Sequence, residues 1–345
     1  MKKSALYFAS LCVAATIGAV SFWLSAKNFP EFQDASFVKN SGQVLSETRQ
    51  AIAPQAPHPV SYPALFAEDF NGSNLEIGEV LARTETYTRY YITYASGDLT
   101  ISGIMNVPKG DGPFPALVLN HGHIDTDVYT NGRGLRREQD FFARNGFVVL
   151  HTDYRNHAQS SKDNRDRLAV RFSYAEDAIN AVYALRRSGL SVIDTQRIGM
   201  LGHSMGGGVT LGSLVTIPDL IDAAVLYAPV SGDMRKSFER WMDADQDSVA
   251  EIASEYGLPE AAPEFWANIS AETFYGRIRA PVHIYHGTTD DSVPLEWSKD
   301  TLEKLRQAGV AAELTVYPAA PHEFTNDWPA FMNSALDFFK QNLKS

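Results

Sequence analysis

From Thr86 onward, short apolar runs rich in β-branched residues alternate with longer stretches of helical spacing. Tyr87–Tyr94 and Leu99–Val107 alternate apolar and polar positions around Ser96-Gly97-Asp98, which predicts an antiparallel hairpin at a sheet edge. Ala116–Asn120, Phe147–Thr152, Arg197–Gly202 and Ala223–Tyr227 are apolar nearly throughout, the mark of strands buried on both faces. Helical patterns over Arg136–Arg144, Phe172–Arg187 and Gly207–Val215 fall between them. Pro281–Tyr285 and Ala312–Tyr317 add two strands separated by a helix over Trp297–Ala308, and Trp328–Leu343 is the last helix. This order predicts an α/β fold: a mostly parallel, doubly wound sheet with helices on both faces.

Two regions break the alternation. Ser231–Arg279 carries Phe238, Trp241, Met242, Tyr256, Phe265, Trp266, Phe274 and Tyr275 among many acids, between two core strands. It reads as a small helical cap (231–279), whose aromatics either line a pocket or pack the cap onto the domain. Residues 27–85 read as a spacer and entry segment, because Pro54, Pro57, Pro59 and Pro63 crowd together and favour extended chain. The stretch before Thr86 is too short for a propeller of several blades.

At the N-terminus, Lys2-Lys3 precede an uncharged run from Ser4 to Ala26. A basic start and an apolar stretch predict an export signal over residues 1–26, cleaved near Leu24-Ser25-Ala26 or kept as a membrane anchor. The protein is then periplasmic or secreted, with membrane contact expected only through residues 4–26. Cys12 is the sole cysteine, so no intramolecular disulfide can form and the fold must rest on core packing. With 44% hydrophobic and 21% charged residues, the rest is ordinary globular material. A formal net charge of −11 argues against nucleic acid or an anionic membrane surface as partner.

The candidate chemistry starts at Gly202-His203-Ser204-Met205-Gly206, where an apolar strand meets a helix rich in small residues. Gly-x-Ser-x-Gly at that junction is a sharp elbow that lifts a serine hydroxyl out of the backbone. Glycines flank the serine because side chains there would strike the neighbouring strand or helix. No Gly-x-Gly-x-x-Gly and no Lys-Ser/Thr follow, which sets aside nucleotide binding. Downstream, the strand ending at His286-Gly287 leads into Asp290 and Asp291. Asp290 is the better candidate acid, since Asp291 could cap the helix that follows. After Tyr317, a proline-bearing loop presents His322.

Residues from about Thr86 to Ser345 resemble an α/β-hydrolase, in particular the prolyl-oligopeptidase-type (S9) catalytic domain and dienelactone-hydrolase-like serine hydrolases. The likeness rests on Asn120-His121-Gly122, Asp153-Tyr154-Arg155, Gly202–Gly207, His286-Gly287-x-x-Asp290-x-x-Val293-Pro294 and His322-x-Phe324. It implies an α/β-hydrolase catalytic domain over 86–345, with Ser204 as nucleophile, Asp290 as acid and His322 as base. It also implies an oxyanion hole from the N–H groups of Met205 and His123, and hydrolysis of a small ester or peptide substrate without cofactor or metal. One departure is His121-Gly122-His123, where the family often has His-Gly-Gly.

Two other readings stand beside this one. A silent member of the fold would use the same pocket for binding alone. A metal-dependent hydrolase would use His121, His123 and Asp125, since histidines two apart on a strand share a face. His203 and His286 are expected to pack at strand ends, and His157 has no assigned role. Arg133, Arg136 and Arg137 form a basic cluster of the kind that is usually solvated surface and that would favour an anionic substrate if it rimmed the site.

Overall fold

In the computed structural model, which describes residues 56–242 and 246–343, helix α1 (Tyr62–Leu65) leads into three antiparallel strands. These are β1 (Ser73–Arg83), β2 (Tyr87–Ser96) and β3 (Leu99–Pro108). Then come β4 (Phe114–Asn120), α2 (Arg136–Arg144), β5 (Val148–Thr152), α3 (Arg167–Phe172), α4 (Tyr174–Arg187), β6 (Ile193–His203), α5 (Met205–Thr216) and β7 (Ala223–Tyr227). The cap holds α6 (Met234–Trp241), α7 (Gln246–Glu255), α8 (Pro263–Asn268) and a 3₁₀ turn over Ala271–Arg277. Last come β8 (Val282–Gly287), α9 (Leu295–Gln307), β9 (Ala312–Tyr317) and α10 (Trp328–Asn342).

The nine strands make one sheet in the order β1-β2-β3-β5-β4-β6-β7-β8-β9. Pairing is antiparallel from β1 to β5 and parallel from β5 to β9. Val148–Thr152 and Ala223–Tyr227 are buried at every position, as strands with helices on both sides must be. One face packs against α4, α5 and α9 through residues such as Ile179, Leu211, Val215 and Leu305. The other packs against α2 and α10 through Phe142, Phe331 and Phe339. Each of those rings is fully buried, which stabilises the fold by about 1.5–3 kcal/mol apiece. This is the mostly parallel, doubly wound sheet expected from the alternation of elements, and the α/β-hydrolase fold that the resemblance implies.

The observed elements depart from the expected ones in two places, and the cap settles between two readings. Strand β1 lies inside the stretch read as spacer and entry segment, and Val60, Tyr62 and Leu65 of that stretch are buried. Helix α3 precedes the expected helix at Phe172 as a separate element, its N-terminus capped by Asp166, whose carboxylate accepts from the N–H of Leu168 and Ala169. In the cap, Phe238, Trp266 and Tyr275 are buried in the core, and half-buried Tyr256, Phe265 and Phe274 pack against it, so these aromatics serve packing. Among the described residues no helix is long and apolar enough to cross a membrane, and the export or anchor segment expected over 1–26, with Cys12, lies outside them.

Candidate active site

Ser204 sits between the end of β6 and the start of α5 with φ 55° and ψ −119°. A non-glycine residue held there costs about 1–3 kcal/mol and persists only where its surroundings over-determine it. Here the Ser204 N–H donates to the Tyr227 carbonyl at 2.9 Å, and its own carbonyl accepts from the N–H of Gly207 and Val230. The flanking glycines are required by close approach. A Cβ on Gly202 would lie 2.2 Å from the Gly206 carbonyl oxygen, and one on Gly206 would lie 1.9 Å from that of Asn120. The helix can therefore start directly against β4, with Ser204 facing an open cavity.

Past β8, Asp290 folds back on its own loop. Its Oδ1 accepts from the N–H of Ser292 at 2.9 Å and of Val293 at 2.8 Å, while Oδ2 lies 2.7 Å from Nδ1 of His322. The buried ring of His286, at the end of β8, adds a contact from Nε2 to Oδ2 at 3.2 Å. Burial alone would raise the Asp290 pKa, but the bonds from His286, His322 and Val293 outweigh it and hold the carboxyl well below the usual range. Asp291 is exposed; its side chain meets Ser292 Oγ at 3.3 Å and does not cap α9, whose N-cap is Pro294.

His322 reaches this carboxylate because two loops lie flush. A Cβ on Gly287 would be 2.1 Å from the Ala320 carbonyl oxygen, and the Ala319 N–H donates to Thr288 Oγ1 at 2.7 Å. With Nδ1 committed to Asp290, Nε2 is left for the cavity that His322 and Ser204 both line. The ring of His203 packs 4.6 Å from that of His322. Burial first, and the nearby His322 second, lower the His203 pKa to about 3, so a neutral ring supports the loop from beneath.

The cavity measures about 510 Å³. Tyr62, Phe172, Val209, Met234 and Ile269 give it an apolar wall, and Trp241 is the cap aromatic that lines it. The loop after β4 forms another side. A Cβ on Gly122 would be 3.2 Å from Cβ of Ser204, so this backbone runs beside the serine, and His123 also lines the cavity. Met205 lies across from it as the first residue of α5.

The histidines of this loop part company. His121 is buried, stacked on Tyr129 and tilted against Tyr154, with Nδ1 2.6 Å from the Gly122 carbonyl oxygen and Nε2 3.3 Å from that of Asp153. His123 reaches toward solvent beside Arg171, and partial burial of its ring together with Arg171 and Arg167 lowers its pKa to about 4. Asp125 is exposed and accepts from the Asp127 N–H at 2.9 Å. The three do not converge, because β4 ends at Asn120 and the shared-face argument fails on a loop. Among the described residues no group of three or more His, Cys, Asp or Glu could hold a metal ion.

The basic cluster does not line the cavity. Arg137 stacks over Trp328 at 5.0 Å, and Arg133 donates to the Val128 carbonyl at 2.5 Å. The cations lining the cavity are Arg167 and Arg171 of α3, which no sequence motif singled out. Asp166 ahead of an apolar run, a helix-start signal, was the available clue.

The Prolyl oligopeptidase family model (Peptidase_S9) matches residues 133–345. The "Uncharacterized peptidase YtmA" of Bacillus subtilis is 27% identical over 236 residues, 68% of this chain and 86% of that protein. Among solved structures, Acetyl Xylan Esterase 1 from Thermoanaerobacterium sp. superposes with a TM-score of 0.60 at 18% identity, over 84% of this chain and 95% of that one. Pyrococcus horikoshii acylaminoacyl peptidase does so with 0.61 at 19% identity, over 76% of this chain and 43% of that one.

Proposed function

The chain belongs to the prolyl oligopeptidase family and is a serine hydrolase; from that premise we propose that it cleaves ester or peptide bonds of small substrates through an acyl-enzyme formed on Ser204. The observation carrying this reading is the 2.7 Å contact of His322 Nδ1 with Asp290, which leaves Nε2 on the cavity that Ser204 lines.

In this reading His322 Nε2 takes the hydroxyl proton as Ser204 Oγ bonds to the substrate carbonyl carbon. The oxyanion is met by the N–H groups of Met205 and His123, and losing one such donor typically costs about 2.7–4 kcal/mol of transition-state stabilisation. His322 then protonates the departing alcohol or amine. Water, activated by the same nitrogen, releases the acid and restores Ser204. Asp290 keeps the proton on Nδ1 and stabilises the imidazolium. A cavity of about 510 Å³ suits a small ester or short peptide derivative. The basic and apolar start at residues 1–26 supports an encounter with substrate after export.

The test is a panel of p-nitrophenyl esters and proline-containing peptide amides, given to the full chain and to Ser204→Ala. Turnover that Ser204→Ala abolishes supports the mechanism, and the panel divides esterase from peptidase. Turnover retained by Ser204→Ala contradicts it.

A further inference from the structure

Several arginines are held in ion pairs. Arg155 is held by Asp163, Glu176 and Asp177, Arg165 by Asp163, and Arg235 by Asp233. Arg171 differs. It lines the catalytic cavity from α3, and among the described residues no carboxylate forms an ion pair with it. Its Nη2 meets Nδ1 of His123 at 3.4 Å, a long contact to a ring whose own pKa is lowered to about 4. The other cation on the cavity wall is Arg167, one helical turn away, while the acid that lines the cavity is Glu323, beside His322.

Burial, the largest cause, and Arg167 both weigh against the charge on Arg171. A guanidinium stays protonated regardless, so the charge is retained without a counter-ion among the described residues. In a chain of net charge −11, carboxylates to neutralise it are plentiful. A half-buried cation with no paired carboxylate among the described residues, facing a catalytic cavity, marks a place where the ligand supplies the opposite charge. A neutral His123 accepting from one Nη2–H would orient the guanidinium and leave its other donors for a planar, two-oxygen anion. Phe172, next to Arg171 on α3, and Val209, on the helix that starts after Ser204, add apolar surface to the same cavity.

We infer that Arg171, assisted by Arg167, forms a carboxylate-binding subsite, so that the preferred substrate is an ester or amide with a carboxylate beyond an apolar spacer. This rests on the serine-hydrolase reading of the same cavity. The carboxylate can sit on the acyl chain or on the leaving group, and the chemistry recognised is the same.

The test compares matched substrates on the full chain. One pair varies the acyl group: p-nitrophenyl hydrogen adipate against p-nitrophenyl hexanoate. The other varies the leaving group: hexanoate esters of p-hydroxybenzoate and of p-hydroxybenzamide. Each result is a ratio of kcat/KM values from one preparation, so the fraction of folded enzyme cancels. The wild type should favour the carboxylate member of one pair by about tenfold or more, a preference that weakens as salt is raised. Arg171→Gln should lower that ratio about tenfold, and Arg171→Lys should keep part of it. The pair that responds identifies the acyl or the leaving-group side. Turnover with both ratios near one, or with ratios that Arg171→Gln does not change, overturns the subsite and leaves the serine mechanism standing. Absence of turnover together with absence of fluorophosphonate labelling overturns the serine reading, and this inference falls with it.

Discussion

Oδ2 of Asp290 lies 2.7 Å from Nδ1 of His322 while Oδ1 is held by the backbone N–H groups of Ser292 and Val293. The carboxylate is thus fixed by its own loop before it touches the histidine. Asp291, one residue on, points to Ser292 Oγ at the surface. In the proposed mechanism the two aspartates are not interchangeable. Asp290→Asn should lower kcat about 10⁴-fold by losing the acceptor that sets the His322 tautomer. Asp291→Asn should change it less than about twofold, the scale of an ordinary surface substitution. Steady-state kinetics on one p-nitrophenyl ester checks both, and a sensitive Asp291 would overturn the assignment.

Stability should fall on mild acidification. Burial holds the pKa of both His151 and His203 near 3, against an ordinary value of 6.5. Between those values the unfolded chain binds more protons than the folded one, so stability is fully present above about pH 6.5 and is lost as pH falls toward 3. At pH 5 each ring should cost about 2 kcal/mol relative to pH 7.5. Neither ring nitrogen of His151 has a hydrogen-bond partner, and the Asp153 carboxylate stands 3.9 Å from Nδ1, beyond hydrogen-bond reach. Urea unfolding at the two pH values measures this, and equal stability at both would contradict it.

The elbow glycines permit a sharper contrast. Gly206→Ala would drive a Cβ to 1.9 Å from the Asn120 carbonyl oxygen, backbone against backbone. It should cost more than about 3 kcal/mol or abolish folding. Gly276→Ala meets nothing within 4 Å and should lie within about 0.5 kcal/mol of wild type. Comparing their thermal unfolding tests whether the elbow is as tightly enclosed as described.

Much of this was legible from the sequence because the signals were local. Strands buried on both faces announce themselves as apolar runs, and β7 coincides with the expected Ala223–Tyr227. The glycines around Ser204 mark a backbone constraint that any sequence must satisfy. Strand β1 escaped notice for the opposite reason: nearly all its positions are exposed, so no alternation is written into it. Arg171 was missed because its importance is relational. It lies 48 positions from His123 in the chain, and only the fold brings the two together. The pairing of His121 with His123 failed on a local point, the end of β4 at Asn120.

The central claim is that Ser204 is an activated nucleophile, and the most direct measurement is covalent labelling of the full chain with a fluorophosphonate, mapped by peptide mass spectrometry. The account predicts one labelled peptide, modified at Ser204 and unlabelled in Ser204→Ala, with labelling strongly slowed in Asp290→Asn. A folded wild type that resists the reagent, or a label on any other residue, would contradict it.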